Sequence, residues 1–206
     1  MEDSGDIGNS QYEFERRTLE VLREPMETGV ITVSRAARKI TYPARFQLVG
    51  AMNPCACGYL GHPSGRCHCT PEQAARYAGR ISGPLLERID LILDVPALSA
   101  WELQHAPSGE SSAQMRARVS NAAACQDERQ GCSNARLSGA ALQPQAVLDK
   151  AGQRLLQQAV SRFALSARAT HRVIRVARTI ADLDGAAAIS DAALGEALSY
   201  RGTPGG

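Results

Sequence analysis

The sequence predicts an α/β protein whose closing third is entirely helical. Two short apolar runs, 46–52 and 91–95, are continuous rather than alternating, the mark of strands buried on both faces. Beyond residue 144 the apolar positions change to helical spacing, in three successive segments. Between these regions, residues 96–112 turn to Pro, Ser and Gly, the texture of a linker. A chain of 206 residues can bury a core in one ordinary domain or in two small ones.

Residues 1–12 carry no apolar periodicity and are expected to be disordered. A helix is expected from Glu13 to Arg23, with Phe14, Leu19 and Leu22 on its apolar side and Pro25 as its stop. Residues 30–33 and 39–42 can pair as a hairpin around a basic tip, and strand 46–52 follows. The loop 53–70 leads to a helix opened by Thr70-Pro71-Glu72-Gln73. Thr suits the N-cap, Pro the first turn, and the acid meets the positive end of the dipole. That helix is expected to end near Ile81, before Ser82-Gly83-Pro84. A short helix then runs into strand 91–95. A polar, Ala-rich helix spans 112–129. The helical end comprises residues 145–163, a second helix capped by Ser166 and reaching Leu183, and a third over 191–200 capped by Ser190 and ended by Gly202. The expected division is therefore a terminus 1–12, a part 13–98 with strands, a connecting stretch 99–143, and a helical domain 144–206.

Net charge is only +2, so bulk charge does not mark a nucleic-acid binder. All but two of the 23 basic residues are arginine; the lysines are Lys39 and Lys150. The first residues are acidic and polar, unlike a secretory signal, and no window approaches the roughly 18 apolar residues of a membrane span. A cytoplasmic protein with no membrane contact is expected, with its thiols reduced.

In that setting "NPCACGYLGHPSGRCHCT" points to metal. Cys55, Cys57, Cys67 and Cys69 offer four thiolates, the ligand set of a closed structural zinc site. Gly58, Gly61, Gly65 and Pro63 supply the turns that fold such a loop back, and His62 and His68 are possible substitute ligands. Cys-x-Cys is tighter than the usual pair spacing, and four reduced thiols in an open loop are the alternative. Four protein ligands leave no open position for catalysis.

Three stretches, "LEVLREPMETGVITVSRAARKITYPARFQLVGAMNPCACGY", "RISGPLLERIDLILDVP" and "LSARATHRVIRVARTIADLDG", resemble the ComM/YifB family. These are bacterial AAA+ ATPases related to the ATPase subunit of magnesium chelatase. The resemblance runs from about Phe14 to Arg201. It implies the C-terminal part of an AAA+ P-loop core followed by a helical lid. It also implies ATP and magnesium as cofactors, a homo-oligomeric or hexameric ring, and DNA as the substrate of a branch-migration or helicase-like motor. Chelatase-type metal insertion is a further possibility within the same superfamily. A P-loop requires G-x-x-x-x-G-K-[ST], and neither lysine follows a glycine. No apolar strand ending in Asp-Glu precedes Glu13. The expectation is thus a C-terminal fragment that does not hydrolyse ATP alone. The competing expectation is a zinc-stapled module, or a decayed gene product, that docks on an intact paralogue.

The resemblance assigns roles to individual residues. Asn53 matches the first sensor, a short amide that orients the attacking water; otherwise it simply starts an Asn-Pro turn. Arg88 in "LLERID" matches an arginine finger reaching a neighbour's phosphates; otherwise it pairs with Glu87 or Asp90. Arg168 in "LSARATHR" matches the second sensor on the lid, with Arg172 and Arg175 on nearby turns and Arg178 expected on a solvated face. Arg35, Arg38 and Lys39 at the hairpin tip match a channel hairpin that touches DNA phosphates, the alternative being a solvated turn.

Overall fold

The computed structural model describes residues 16–35, 38–137 and 139–201; Glu13, Phe14, Gly202 and the stretch 1–12 lie outside them. The chain divides into two compact units, one of residues 1–60 with 68–88, the other of 61–67 with 89–206. Helices dominate, and the described residues form one small sheet.

In the first unit, α1 (Arg16–Val21) and α2 (Arg23–Thr28) replace the single helix expected from sequence. The break falls at Leu22 rather than at Pro25. Pro25 sits in the first turn of α2, where no intrahelical partner needs its missing N–H. Gly29 ends α2 at φ 69°. The expected hairpin forms: β1 (Val30–Arg35) pairs antiparallel with β2 (Arg38–Pro43), in a register that sets Val30 opposite Pro43 and Arg35 opposite Arg38. Thr70 opens α3 (Pro71–Ala78) with a full capping box, its hydroxyl taking the Gln73 N–H while the Gln73 side chain accepts the Thr70 N–H. Ser82 caps the short α4 (Gly83–Leu86) through its hydroxyl alone, which accepts the Leu85 N–H at 3.2 Å.

The two buried strands do not appear. Residues 46–52 run without sheet pairing, with Val49 82% exposed. Residues 91–95 behave likewise, with Val95 89% exposed. A strand needs a neighbour's N–H and C=O groups as well as an apolar composition, and the only sheet among the described residues is the hairpin.

The second unit begins with α5 (Ala100–His105), inside the stretch expected to be linker, and Ser99 and Glu102 form its capping box. α6 (Ser112–Gln130) follows as expected, capped by Ser111 and closed by Gly131 at φ 70°. After a 3-10 turn at Asn134–Arg136 come α7 (Gly139–Leu142) and a second such turn at Gln143–Gln145. α8 (Lys150–Phe163) starts later than its apolar pattern suggests, because Asp149 accepts the Gly152 N–H at 2.8 Å and fixes the start. α9 (Ala167–Leu183) and α10 (Asp191–Ser199) are capped by Ser166 and Ser190, as read from sequence.

The core of this unit lies where α8, α9 and α10 meet, around Val173, Ala177, Ala181, Leu194 and Ala197, with Leu155 and Leu156 packed against them. Small alanines on facing helices allow close approach and dense packing. Below them lies a buried polar knot. Asp182 accepts from both terminal nitrogens of Arg129 (2.6 and 2.9 Å), from Asn134 Nδ2 (2.7 Å) and from Arg178 Nε (3.1 Å). Arg178 also donates to the Ala186 and Ala187 carbonyls. The solvated position expected for Arg178 is therefore corrected: it is 2% exposed, because its charge and all its donors are met inside the protein. No helix among the described residues is long and apolar enough to cross a membrane.

Candidate functional site

The cysteine loop joins β2 to α3. Within it Gly58, Gly61 and Gly65 adopt φ of 81°, 76° and 64°, a region that L side chains rarely enter. These reversals bring Cys55, Cys57, Cys67 and Cys69 together, with all four sulfurs within 4.8 Å of one another. Cys55 is fully buried, and its Sγ lies 3.3 Å from that of Cys57. A tetrahedral zinc–thiolate centre has sulfur–sulfur edges of about 3.8 Å, which these distances bracket. Four close cysteines of this kind can hold a metal ion.

The surroundings favour thiolate at Cys57 and Cys55. The backbone N–H groups of Tyr59 and His68 donate to Cys57 and bring its thiol down to about 6. Burial pushes the Cys55 thiol up, but the Leu60 and Cys57 N–H groups more than offset it, and the net direction is down. The Cys57 N–H also pulls Cys69 down, yet the Cys57 thiolate, burial and Cys55 outweigh it, and that thiol is pushed up to about 11. Cys57 and Cys55 are thus drawn toward thiolate while Cys69 holds its proton more firmly. His62 is turned to other work: its Nδ1 accepts the Ser64 N–H at 3.0 Å and meets Ser64 Oγ at 2.7 Å. Neither His62 nor His68 joins the sulfur group.

Asn53 is exposed at the entry to this loop. Its side chain lies over Gly58, where an added Cβ would sit 3.7 Å from Asn53 Nδ2.

Arg88 follows α4 and is engaged within its own unit. Nε donates to the Arg23 carbonyl (3.1 Å), one terminal nitrogen to the Pro84 carbonyl (2.6 Å), and the other to Glu27 Oε2 (2.7 Å). The carboxylate partner is therefore Glu27, neither Glu87 nor Asp90. Asp90 instead accepts from Arg172 at 2.6 Å. An open cleft of about 450 Å³ is lined by Glu20, Glu24 and Glu27 together with Arg23 and Arg88.

In the second unit Arg168 is exposed in the first turn of α9, at the positive end of the helix dipole. Arg172 is 9% exposed and committed to Asp90. Arg175 donates to the Leu137 carbonyl at 3.1 Å, and burial pulls its pKa down. Arg38 and Lys39 are exposed at the start of β2; Arg35 ends β1, and residues 36–37 between the strands lie outside the described residues. The structure thus gathers the four cysteines, sets Arg35 opposite Arg38 in the hairpin beside Lys39, and leaves Asn53, Arg88 and Arg168 on separate segments.

Sequence reading missed the Glu27 partner of Arg88 and the Arg129–Asn134–Asp182 knot. Only the Arg178–Asp182 spacing of four residues along one helix face signalled part of the knot.

Comparison with known proteins places these elements in a family. Residues 9–103 match the family model of the magnesium chelatase ChlI subunit, and residues 109–201 match that of the ChlI C-terminal region. The chain is 50% identical over 190 residues to an uncharacterized protein, YifB, of Salmonella typhimurium. It is 44% identical over 190 residues to the competence protein ComM of Haemophilus influenzae. An uncharacterized protein of Mycobacterium bovis is 38% identical over 195 residues. The first two matches cover 92% of this chain and 37% of each relative, so the chain spans well under half the length of those proteins.

Proposed function

Because this chain belongs to the magnesium-chelatase ChlI family, on the branch with ComM and YifB, we propose that it is the C-terminal portion of an ATP-driven, ring-forming motor that acts on DNA. The observation that carries the reading is the unbroken match, in order, to the ChlI model and then to the ChlI C-terminal model. On this reading residues 13–98 are part of an AAA+ core, 99–143 connect, and 144–206 form the lid, behind a terminus 1–12.

The sequence contains no P-loop, so its residues do not make a complete site for ATP and magnesium, and hydrolysis is not assigned to this chain alone. What it contributes is the other side of such a site. Asn53 is a short amide suited to orienting a water. Arg88 exchanges Glu27 for a neighbouring subunit's phosphates, a guanidinium being suited to charge spread over phosphoryl oxygens. Arg168 serves its own subunit from the N-terminal turn of α9, where the dipole favours an anion. Arg35, Arg38 and Lys39 contact DNA phosphates from the hairpin. The metal of the cysteine loop is zinc in a purely structural role, since four thiolates suit zinc and leave no open position.

The test mixes the purified chain with a full-length ComM or YifB relative in ATP, magnesium and branched DNA, and follows co-elution and turnover. Incorporation into the ring with turnover that falls on Arg88→Ala in both subunits is the expected result. Incorporation with turnover indifferent to Arg88 would favour the non-catalytic docking module. Failure to incorporate would count against both.

A further inference from the structure

The loop between β2 and α3 contains no helix or strand. Within it the Gly58 N–H reaches the Cys55 carbonyl at 3.0 Å, and the Gly65 N–H reaches the His62 carbonyl at 3.1 Å. Yet one of its cysteines is fully buried and four sulfurs converge. Gathering thiolates around a point with no cation is repulsive. A divalent ion at that point reverses the sign of the interaction and closes the loop.

The position of Asn53 depends on the same closure. Its amide lies against the bare face of Gly58, whose built Cβ would come 3.7 Å from Nδ2 and 3.8 Å from Cγ. Only five bonded steps of backbone separate the two residues, and Cys55 and Cys57 lie between them. Within the 53–58 turn one backbone bond, from the Gly58 N–H to the Cys55 carbonyl at 3.0 Å, holds the reversal, and drawing both sulfurs to one centre would tie it further. Gly58, at φ 81°, provides the reversal and carries no side chain to displace the amide.

We propose that a zinc ion held by Cys55, Cys57, Cys67 and Cys69 is a positioning ion for Asn53, closing the 53–58 turn and so fixing the Asn53 side chain. This deepens the reading of the loop as a zinc site and rests on it. The ion touches no substrate. Its effect is carried through Cys55, Cys57 and Gly58 to one amide. All-thiolate ligation selects zinc, with cobalt as a spectroscopic stand-in, over magnesium or calcium.

The whole 206-residue chain is stripped with a chelator under reducing conditions and titrated with Zn²⁺ or Co²⁺. NMR follows the Asn53 side-chain NH₂ and the amides of 53–60, with the amides of α9 as internal reference. One equivalent is expected to saturate, with intense thiolate-to-cobalt charge transfer in the Co²⁺ form. The Asn53 resonances should shift with the same stoichiometry. Exchange at 55–60 should slow at least about tenfold while α9 stays unchanged. Cys67→Ser, distant from Asn53 in sequence, should lose both effects. Cys125→Ser, His62→Ala and His68→Ala should keep them. Binding of one equivalent with unmoved Asn53 signals would overturn the positioning role and leave the zinc site standing. No binding by a chain whose α9 is intact would overturn both. Neither nucleotide nor DNA enters the experiment, so its outcome is separate from that of the motor reading.

Discussion

Asp182 joins three segments of the helical unit through one carboxylate. Burial pushes its carboxyl up, but the hydrogen bonds from Arg129 and Asn134 and the charge of Arg178 more than offset this, and its pKa lies below the ordinary aspartate value. A depressed carboxylate stabilises the fold at pH above its unfolded pKa, about 3.9, and the contribution is lost as pH falls through the lower folded value. The urea midpoint of the chain, followed by circular dichroism, should therefore drop on acidification below about pH 4. Asp182→Ala should cost about 3–5 kcal/mol at neutral pH, since it strands Arg178 in the interior. An unchanged acid limb in that variant would show that other groups carry the pH dependence. Arg178 and Asp182 stand four apart on one helix, a spacing that carried part of this knot, although Arg178 was expected on a solvated face. Arg129 and Asn134 were not legible, since they arrive from 53 and 48 residues away in sequence and no local pattern encodes that meeting. Arg88 is a similar case: its partner Glu27 lies 61 residues back, while nearby Asp90 accepts from Arg172.

At the scale of elements, the caps were the most readable feature. Thr70, Ser166 and Ser190 all cap as expected, because an N-cap needs only residues within three positions of one another. Thr70→Ala should cost about 1 kcal/mol and raise amide exchange in the first turn of α3. The same Ser-x-x-Glu signature at Ser99 and Glu102 was present but lay within a stretch whose Pro, Ser and Gly content read as linker. The C-terminus of α8 carries a cost with no local signature: Ala164 takes φ 48°, where glycine fits without strain. Ala164→Gly should raise stability by about 1 kcal/mol, measured as a rise in denaturation midpoint, in contrast to the loss expected for glycine within a helix. The runs 46–52 and 91–95 mark the limit of pattern reading. Apolar composition reports what a segment would bury, whereas a strand also requires a neighbouring strand, and none pairs with either run among the described residues; run 91–95 makes a lone backbone bond, from the Ile92 N–H to the Tyr200 carbonyl.

At the scale of the whole molecule, the chain corresponds to 37% of the length of its ComM and YifB relatives. The activity proposed for it belongs to an assembly of that larger kind. The DNA contact proposed for such a ring would have a clear electrostatic signature. In rings containing this chain, Arg38→Ala with Lys39→Ala should weaken binding to all DNA sequences alike and reduce the salt slope of affinity by about 2; an unchanged slope would move the contact elsewhere. The most direct test of the central claim replaces the matched stretch of ComM from Haemophilus influenzae with this chain and measures DNA-stimulated ATP hydrolysis by the purified chimera. The account predicts a ring that hydrolyses ATP and loses that activity on Arg88→Ala. A folded, assembled chimera with no turnover, or one indifferent to Arg88, would contradict it.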